Sequence, residues 1–81
     1  MEMRFGKAVT TDKLYELVEL VGNGAFQSRF VQKGEFAAQR RAQALHPDIQ
    51  AWQEREDGSL RTSFYDPKMR QRRHFVLREV N

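Results

Sequence analysis

Three turn signals divide this chain into short segments and limit what it can fold into. They are GNG (22–24), DG (57–58) and DP (66–67), which combine residues that tolerate positive φ with a proline that presets a turn. The flanking segments are rich in β-branched and aromatic residues, as strands are. With 81 residues and no cysteine, the chain has room for one thin core and has no disulfide or thiolate metal site. We therefore expect a single domain, 1–81, stabilised by burial alone.

The stretch GEFAAQRRAQALHPD (34–48) instead has helical periodicity. Glu35 lies in its first turn, where negative charge suits the helix dipole, and Pro47 ends it. The apolar side chains share one stripe, formed by Ala38, Ala42 and Leu45 and widened by Ala37 and Ala44. Because alanines are small, this helix can lie close against a sheet.

The segment 12–21 fits two structures. As a helix, it would begin at Thr11 or Asp12 and end at Gly22, with leucines and valines on one side. As a strand, it would pair across GNG with AFQSRFV, although Glu19 interrupts its apolar row. We favour the hairpin because strand-forming residues flank a strong turn signal on both sides. Phe26 and Phe30, four residues apart, would then share one face of the second strand.

The remaining segments predict three more strands. DIQAWQERE (48–56) is a strand centred on Trp52, and SLRTSFYD (59–66) is its hairpin partner, with the apolar face Leu60, Thr62 and Phe64. RRHFVLREV (72–80) is the last strand. Its alternation gives one face with Phe75 and Leu77, and another face with His74, Val76 and Val80.

The predicted fold is therefore α+β. It has an antiparallel sheet of four to five strands, in (β)ββαβββ order, with one helix packed on one face. The bracketed strand is MRFGKAV (3–9), whose alternation is short. The other sheet face would be open to solvent or to a partner.

Charge is distributed in bands along the chain. The net charge of +3 divides into −1 over 1–27, +3 over 28–47, −3 over 48–66 and +4 over 67–81. Ten of the fourteen basic residues are arginine, which forms bidentate contacts with phosphate or carboxylate. If the two basic bands meet in space, they form a patch for an anionic partner.

The candidate binding site combines the basic residues of both bands with two aromatic residues. Its members are Arg40, Arg41, Lys68, Arg70, Arg72, Arg73 and His74, with Trp52 and Tyr65 as aromatic anchors. Strand alternation predicts one row of Arg70, Arg72 and His74, extended by Arg78, and sends Arg73 to the opposite face. Such a row binds nucleic acid by neutralising phosphates, or binds an acidic protein surface. The alternatives are a solvated edge strand for the row and a core position for Trp52.

One pair of short motifs suggests a different chemistry. Pro47-Asp48, followed by Asp66-Pro67-Lys68, resembles the PD…(D/E)xK pattern of restriction-type nucleases. That resemblance implies a divalent metal held by the two acids, with Glu35 as a further carboxylate, and a lysine that positions water. Pro67 favours a turn instead, so a metal-dependent nuclease stays a remote alternative.

Histidine chemistry and membrane insertion find little support. His46, whose positive charge would help to cap the helix, and His74 have structural roles, because no third ligand lies at metal spacing. We expect no catalytic residue, metal or cofactor. The chain has no apolar run of about 18 residues and no signal-peptide core at its start, so a cytoplasmic location is expected.

The sequence thus predicts a small non-enzymatic binding protein that acts as a regulator or inhibitor. Nucleic acid is the leading partner, and an acidic protein surface is the alternative. Accessory proteins of bacteria or their phages are of this type. An exposed edge strand would also allow a homodimer.

Overall fold

The computed structural model describes residues 13–80 of the chain. The elements are β1 (Leu14–Val21), β2 (Ala25–Lys33), α1 (Glu35–Leu45), β3 (Gln53–Glu54), β4 (Leu60–Asp66) and β5 (Gln71–Val80). The predicted α+β fold and its ββαβββ order are confirmed. The strand expected at 3–9 lies outside the described residues.

All five strands form one antiparallel sheet in the order β2-β1-β5-β4-β3. The first and last described strands therefore pair at its centre, where Leu17 of β1 lies opposite Leu77 of β5. This pairing joins residues that are distant in sequence, and both leucines are almost completely buried. The centre of the sheet is thus the centre of the core.

The segment around 12–21 is a strand, as the hairpin interpretation expected. β1 pairs with β2 across a 3-10 turn at Gly22–Gly24. Asn23 and Gly24 have positive φ, at 71° and 75°. Asparagine and glycine tolerate this region better than other residues, which explains why GNG stands between the two strands.

A β-bulge in β2 overturns one prediction, that Phe26 and Phe30 share a face. Leu17 pairs with Phe30 and Val18 with Ser28, so Arg29 is an additional residue on β2. One additional residue reverses which face the following side chains occupy. Phe30 therefore faces the core, whereas Phe26 pairs with Leu20 on the opposite face.

Helix α1 covers one face of the sheet and closes the core. Ala38 and Ala42 are completely buried in a single cluster with Leu17, Phe30, Ile49, Phe64, Phe75 and Leu77. Leu45 does not continue this stripe, since 55% of it is exposed. The His46 ring packs next to the core instead, 4.6 Å from the centroid of Phe75.

The segment after α1 contains less strand than predicted. Only Gln53–Glu54 form β3, and Trp52 lies just before it, half-buried against the core cluster. Ile49 is buried as well. Two side chains three positions apart that both face the core do not fit the two-residue period of a strand, so residues 49–52 are irregular. Within residues 13–80, no helix has the length and apolar character needed to cross a membrane.

Candidate nucleic-acid interface

The sheet surface that faces away from α1 is called the open face. Residues opposite each other in an antiparallel sheet share a face, so the register defines rows across it. One row contains Ser63, His74, Leu20 and Phe26, from β4, β5, β1 and β2. The next row on one side contains Gln53, Arg61, Val76 and Val18. The next row on the other side contains Tyr65 and Arg72.

Two arginines of the open face, Arg61 and Arg72, are exposed. The Nη2 of Arg72 lies 3.4 Å from the hydroxyl oxygen of Ser63, and Tyr65, opposite Arg72, is 54% exposed. Neither arginine forms an ion pair with a carboxylate among residues 13–80. With respect to the described part of the chain, both guanidinium groups therefore have donors available for an anion.

On the helix side of the sheet, the arginines are instead paired with carboxylates. Glu19 is 4% exposed and accepts hydrogen bonds from Nε and Nη2 of Arg73, both at 2.8 Å. Arg29, the bulged residue of β2, donates to the same carboxylate, and Arg73 also reaches Asp66 at 3.2 Å. Two carboxylates, of Glu19 and Asp66, and two guanidinium groups, of Arg29 and Arg73, thus form a network with no net charge, which we call the Glu19 network.

Hydrogen bonds from Arg73, and then those from Arg29, lower the pKa of Glu19 to about 2, against the opposing effect of burial. The Glu19 carboxylate in turn raises the pKa of Arg73. Arg73 is thus committed to an internal partner. Sequence alternation correctly put Arg73 on the face of Phe75, and the structure gives it a carboxylate there. It does not join Arg72 on the open face.

The turn between β4 and β5 carries two further predicted site residues. Lys68 and Arg70 are exposed in the turn at 67–70, where the carboxylate of Asp66 accepts the backbone N–H of Lys68 at 2.9 Å. Arg70 has a φ of 56°, so it is a turn residue and not part of β5. Its predicted place in a strand row with Arg72 is therefore wrong. It lies beyond the end of the strand, two residues before Arg72.

The two helix arginines lie on the other side of the sheet from Arg72. The Arg41 guanidinium stacks 4.4 Å from the centroid of Phe30 and donates to the Gln32 side chain at 3.2 Å. Arg40 is exposed on α1. The two basic bands therefore do not merge into one patch, because β5 carries Arg72 on the face that α1 does not cover.

The two predicted aromatic anchors do not lie on the same face of the sheet, and neither do the two histidines. Tyr65 and His74 are exposed on the open face, whereas Trp52 packs against the core with its indole N–H buried and unpaired within the described part of the chain. Burial lowers the pKa of His46, which favours its neutral form. This shift disfavours the charged form that the sequence suggested for His46 at the end of α1, and its ring contributes to packing.

The residues that would form the nuclease site are used in other ways. Asp48 is exposed in the turn after α1, and Asp66 holds the β4–β5 turn and Arg73. Glu35 accepts a hydrogen bond from Gln39 of its own helix at 3.3 Å. Among residues 13–80, no group of three or more histidine, aspartate or glutamate side chains is arranged to hold a metal ion.

Sequence reasoning missed Arg61 and Phe26. Arg61 was detectable, because the alternation that assigned Leu60 and Thr62 to the core face leaves Arg61 on the other. Phe26 was not, because its face depends on the bulge at Arg29.

No protein-family model, no curated protein and no solved structure matches this chain.

Proposed function

We propose that this protein binds nucleic acid through the open face of its sheet and acts as a non-enzymatic regulator or inhibitor. One observation carries the proposal. Arg61 and Arg72 are exposed on that face without a carboxylate partner among residues 13–80, whereas Arg29 and Arg73 on the helix side are bound to Glu19. The location that this proposal assumes is the cytoplasm, where a nucleic-acid partner is accessible.

The chemistry of the open face suits a phosphate backbone with bases beside it. Guanidinium groups form bidentate hydrogen bonds with phosphate oxygens, and each neutralised phosphate releases counterions. Tyr65, exposed opposite Arg72, offers a ring on which a base can stack. Lys68 and Arg70, in the turn just before β5, add positive charge at the same end of the strand.

An acidic protein surface is the second candidate. Tyrosine and arginine are the residue types that dominate many protein interfaces, and Tyr65 lies directly opposite Arg72. No described strand pairs with the outer edge of β2, so a second copy of this chain could also pair there.

The test measures binding of fluorescently labelled DNA and RNA oligonucleotides by anisotropy over a series of salt concentrations. The double variant Arg61→Ala/Arg72→Ala should bind more weakly. For a single strand it should also lose about 1.4 from the slope of log K against log salt, at about 0.7 per phosphate contact. The matched control is Arg40→Ala/Arg41→Ala, which removes the same charge from the helix side and should change little.

The proposal is lost if the wild-type protein binds neither DNA nor RNA at low salt. If both double variants weaken oligonucleotide binding equally, the open face is not the binding site. The protein would then attract nucleic acid only through its overall positive charge. For a protein partner, an affinity pull-down with nuclease treatment should retain a band that Arg72→Glu abolishes.

A further inference from the structure

The open face contains a cleft that all five strands line. Its volume is about 230 Å³, and its described lining has no carboxylate. Leu20, Phe26 and Val76 give it apolar surface. Gln53, Arg61, Ser63 and His74 give it polar groups. The cleft thus combines an apolar surface with several hydrogen-bonding groups, as small-ligand sites usually do.

The bulge in β2 creates the apolar side of this cleft. Without Arg29 as an additional residue, Phe26 would share the buried face of Phe30. With it, the Phe26 ring lies on the open face and is 49% exposed. The Arg78 guanidinium lies 5.8 Å from its centroid, so the ring borders a cation. A half-exposed aromatic ring beside an unoccupied apolar surface is a typical anchor for a ligand.

We infer that the cleft binds one unstacked base of a single-stranded nucleic acid, and this inference rests on the proposed function. A nucleobase has two apolar faces and a polar edge, so one face can stack on the Phe26 ring while the edge points toward His74, two strands away in the same row. Ser63, Arg61 and Gln53 lie on β4 and β3, about 14 to 19 Å from Phe26 at about 4.8 Å per strand, so their donors and acceptors can bind the neighbouring nucleotides. In a duplex both faces of the base are stacked, so only a single strand can offer this ligand.

The same strand would reach the neighbouring cations. Arg72 and Tyr65 form the next row along β4 and β5, and rows on one face are about 7 Å apart. A base in the cleft therefore leaves its own or the adjoining phosphate near Arg72, and a second base near Tyr65. Cation contacts position the strand, and the cleft selects single-stranded over double-stranded nucleic acid.

The test compares three probes of equal length at one salt concentration: a single-stranded oligonucleotide, its duplex, and an abasic strand that keeps the phosphates. The wild-type protein should bind the single strand at least tenfold more tightly than either of the others. Phe26→Ala should weaken single-strand binding by roughly tenfold, the loss expected for one stacked base, and leave duplex and abasic binding unchanged.

Val31→Ala is the matched control, because Val31 is 47% exposed on the same strand and face but does not line the cleft. It should bind like the wild type. Thermal unfolding of Phe26→Ala checks that the variant is folded, and Phe26→Tyr, which keeps the ring, should restore single-strand affinity.

The possible results distinguish nucleic-acid binding by the open face from base binding in the cleft. If no probe binds, both the proposed function and the base site are lost. If all three probes bind equally, and binding weakens in Arg61→Ala/Arg72→Ala but not in Phe26→Ala, the proposed function stands and the base site is lost. Equal weakening of single-strand binding by Phe26→Ala and Val31→Ala would also overturn the base site.

Discussion

Arginines on the two faces of this sheet differ in what surrounds them. On the helix side, Arg73 donates two hydrogen bonds of 2.8 Å to the buried carboxylate of Glu19. On the open face, Arg72 is the adjacent residue in sequence, is exposed, and has a single side-chain hydrogen bond among residues 13–80, to the Ser63 hydroxyl. One peptide bond thus separates an arginine bound to a buried carboxylate from one that is exposed and has no carboxylate partner among residues 13–80.

Because of this difference between the faces, the number of basic residues is a poor measure of the positive charge that is exposed. Part of the positive charge is neutralised internally, because Glu19 and Asp66 offset Arg29 and Arg73. Removing one member of a buried pair leaves an uncompensated charge, whereas removing an exposed arginine leaves only solvent. Mutations should therefore affect stability on one face and binding on the other.

The largest effect is expected for Glu19→Ala. This change leaves Arg29 and Arg73 facing each other without their shared acceptor, and we expect the free energy of unfolding to fall by about 4 kcal/mol. Urea unfolding followed by circular dichroism measures it. A loss below about 1 kcal/mol would mean that the Glu19 network is no more important than a surface ion pair.

Arg72 and Arg73 provide the most direct test of the difference between the two faces of the sheet. Arg73→Ala should lower the free energy of unfolding by about 3 kcal/mol, somewhat less than Glu19→Ala because Arg29 still binds the carboxylate. Arg72→Ala should change stability by less than about 0.5 kcal/mol but weaken oligonucleotide binding. Equal stability losses in the two variants, measured by the same urea titration, would contradict the division between the faces.

Stability should also fall at acid pH in two windows. The pKa of Glu19 is lowered from 4.5 to about 2, so its contribution is complete above pH 4.5 and disappears as the pH falls toward 2. The loss is up to about 3 kcal/mol. The pKa of His46 is lowered from 6.5 by burial, so below pH 6.5 the unfolded chain takes up a proton that the folded one resists.

Urea midpoints measured from pH 7 to pH 2 distinguish these two groups. Glu19→Gln should flatten the curve below pH 4.5 and leave the decline that begins near pH 6.5. If the acid decline of Glu19→Gln matches that of the wild type below pH 4.5, Glu19 is not its source.

Of the two glutamate variants, the smaller effect is expected for Glu16→Ala, which matches Glu19→Ala in chemistry and strand. Glu16 lies on the open face, where it pairs with the half-exposed Arg78 at 3.3 Å. An exposed pair of this kind contributes about 0–1 kcal/mol, so the free energy of unfolding should change by less than about 1 kcal/mol. A loss as large as that of Glu19→Ala would show that burial of the carboxylate does not set the size of the effect.

Part of the candidate site was predictable from sequence. The alternation along β5 correctly assigned Phe75 and Leu77 to the core and His74 and Val76 to the opposite face. The same pattern in β4 identifies Tyr65 as an open-face residue. The prediction that Arg70 shares a strand row with Arg72 was wrong because Arg70 belongs to the turn after Asp66. The two-residue period of a strand does not apply there.

The local structure follows from the amino-acid sequence alone. Turn residues at 22–24 and 57–58, the alanine stripe of α1, and the alternation of β4 and β5 depend on neighbouring φ and ψ preferences and on period, which lie within a few residues. These features were sufficient for the α+β class and the order of its elements.

Which charged groups and rings are exposed depends instead on long-range strand pairing. Glu19 meets Arg73 across 54 positions of sequence, and the bulge at Arg29 moves Phe26 to the open face. Both depend on the pairing of β1 with β5 and β2, and no local preference encodes the register of strands that are distant in the chain. The arrangement of the proposed interface therefore depends on strand register, although every residue in it is visible in the sequence.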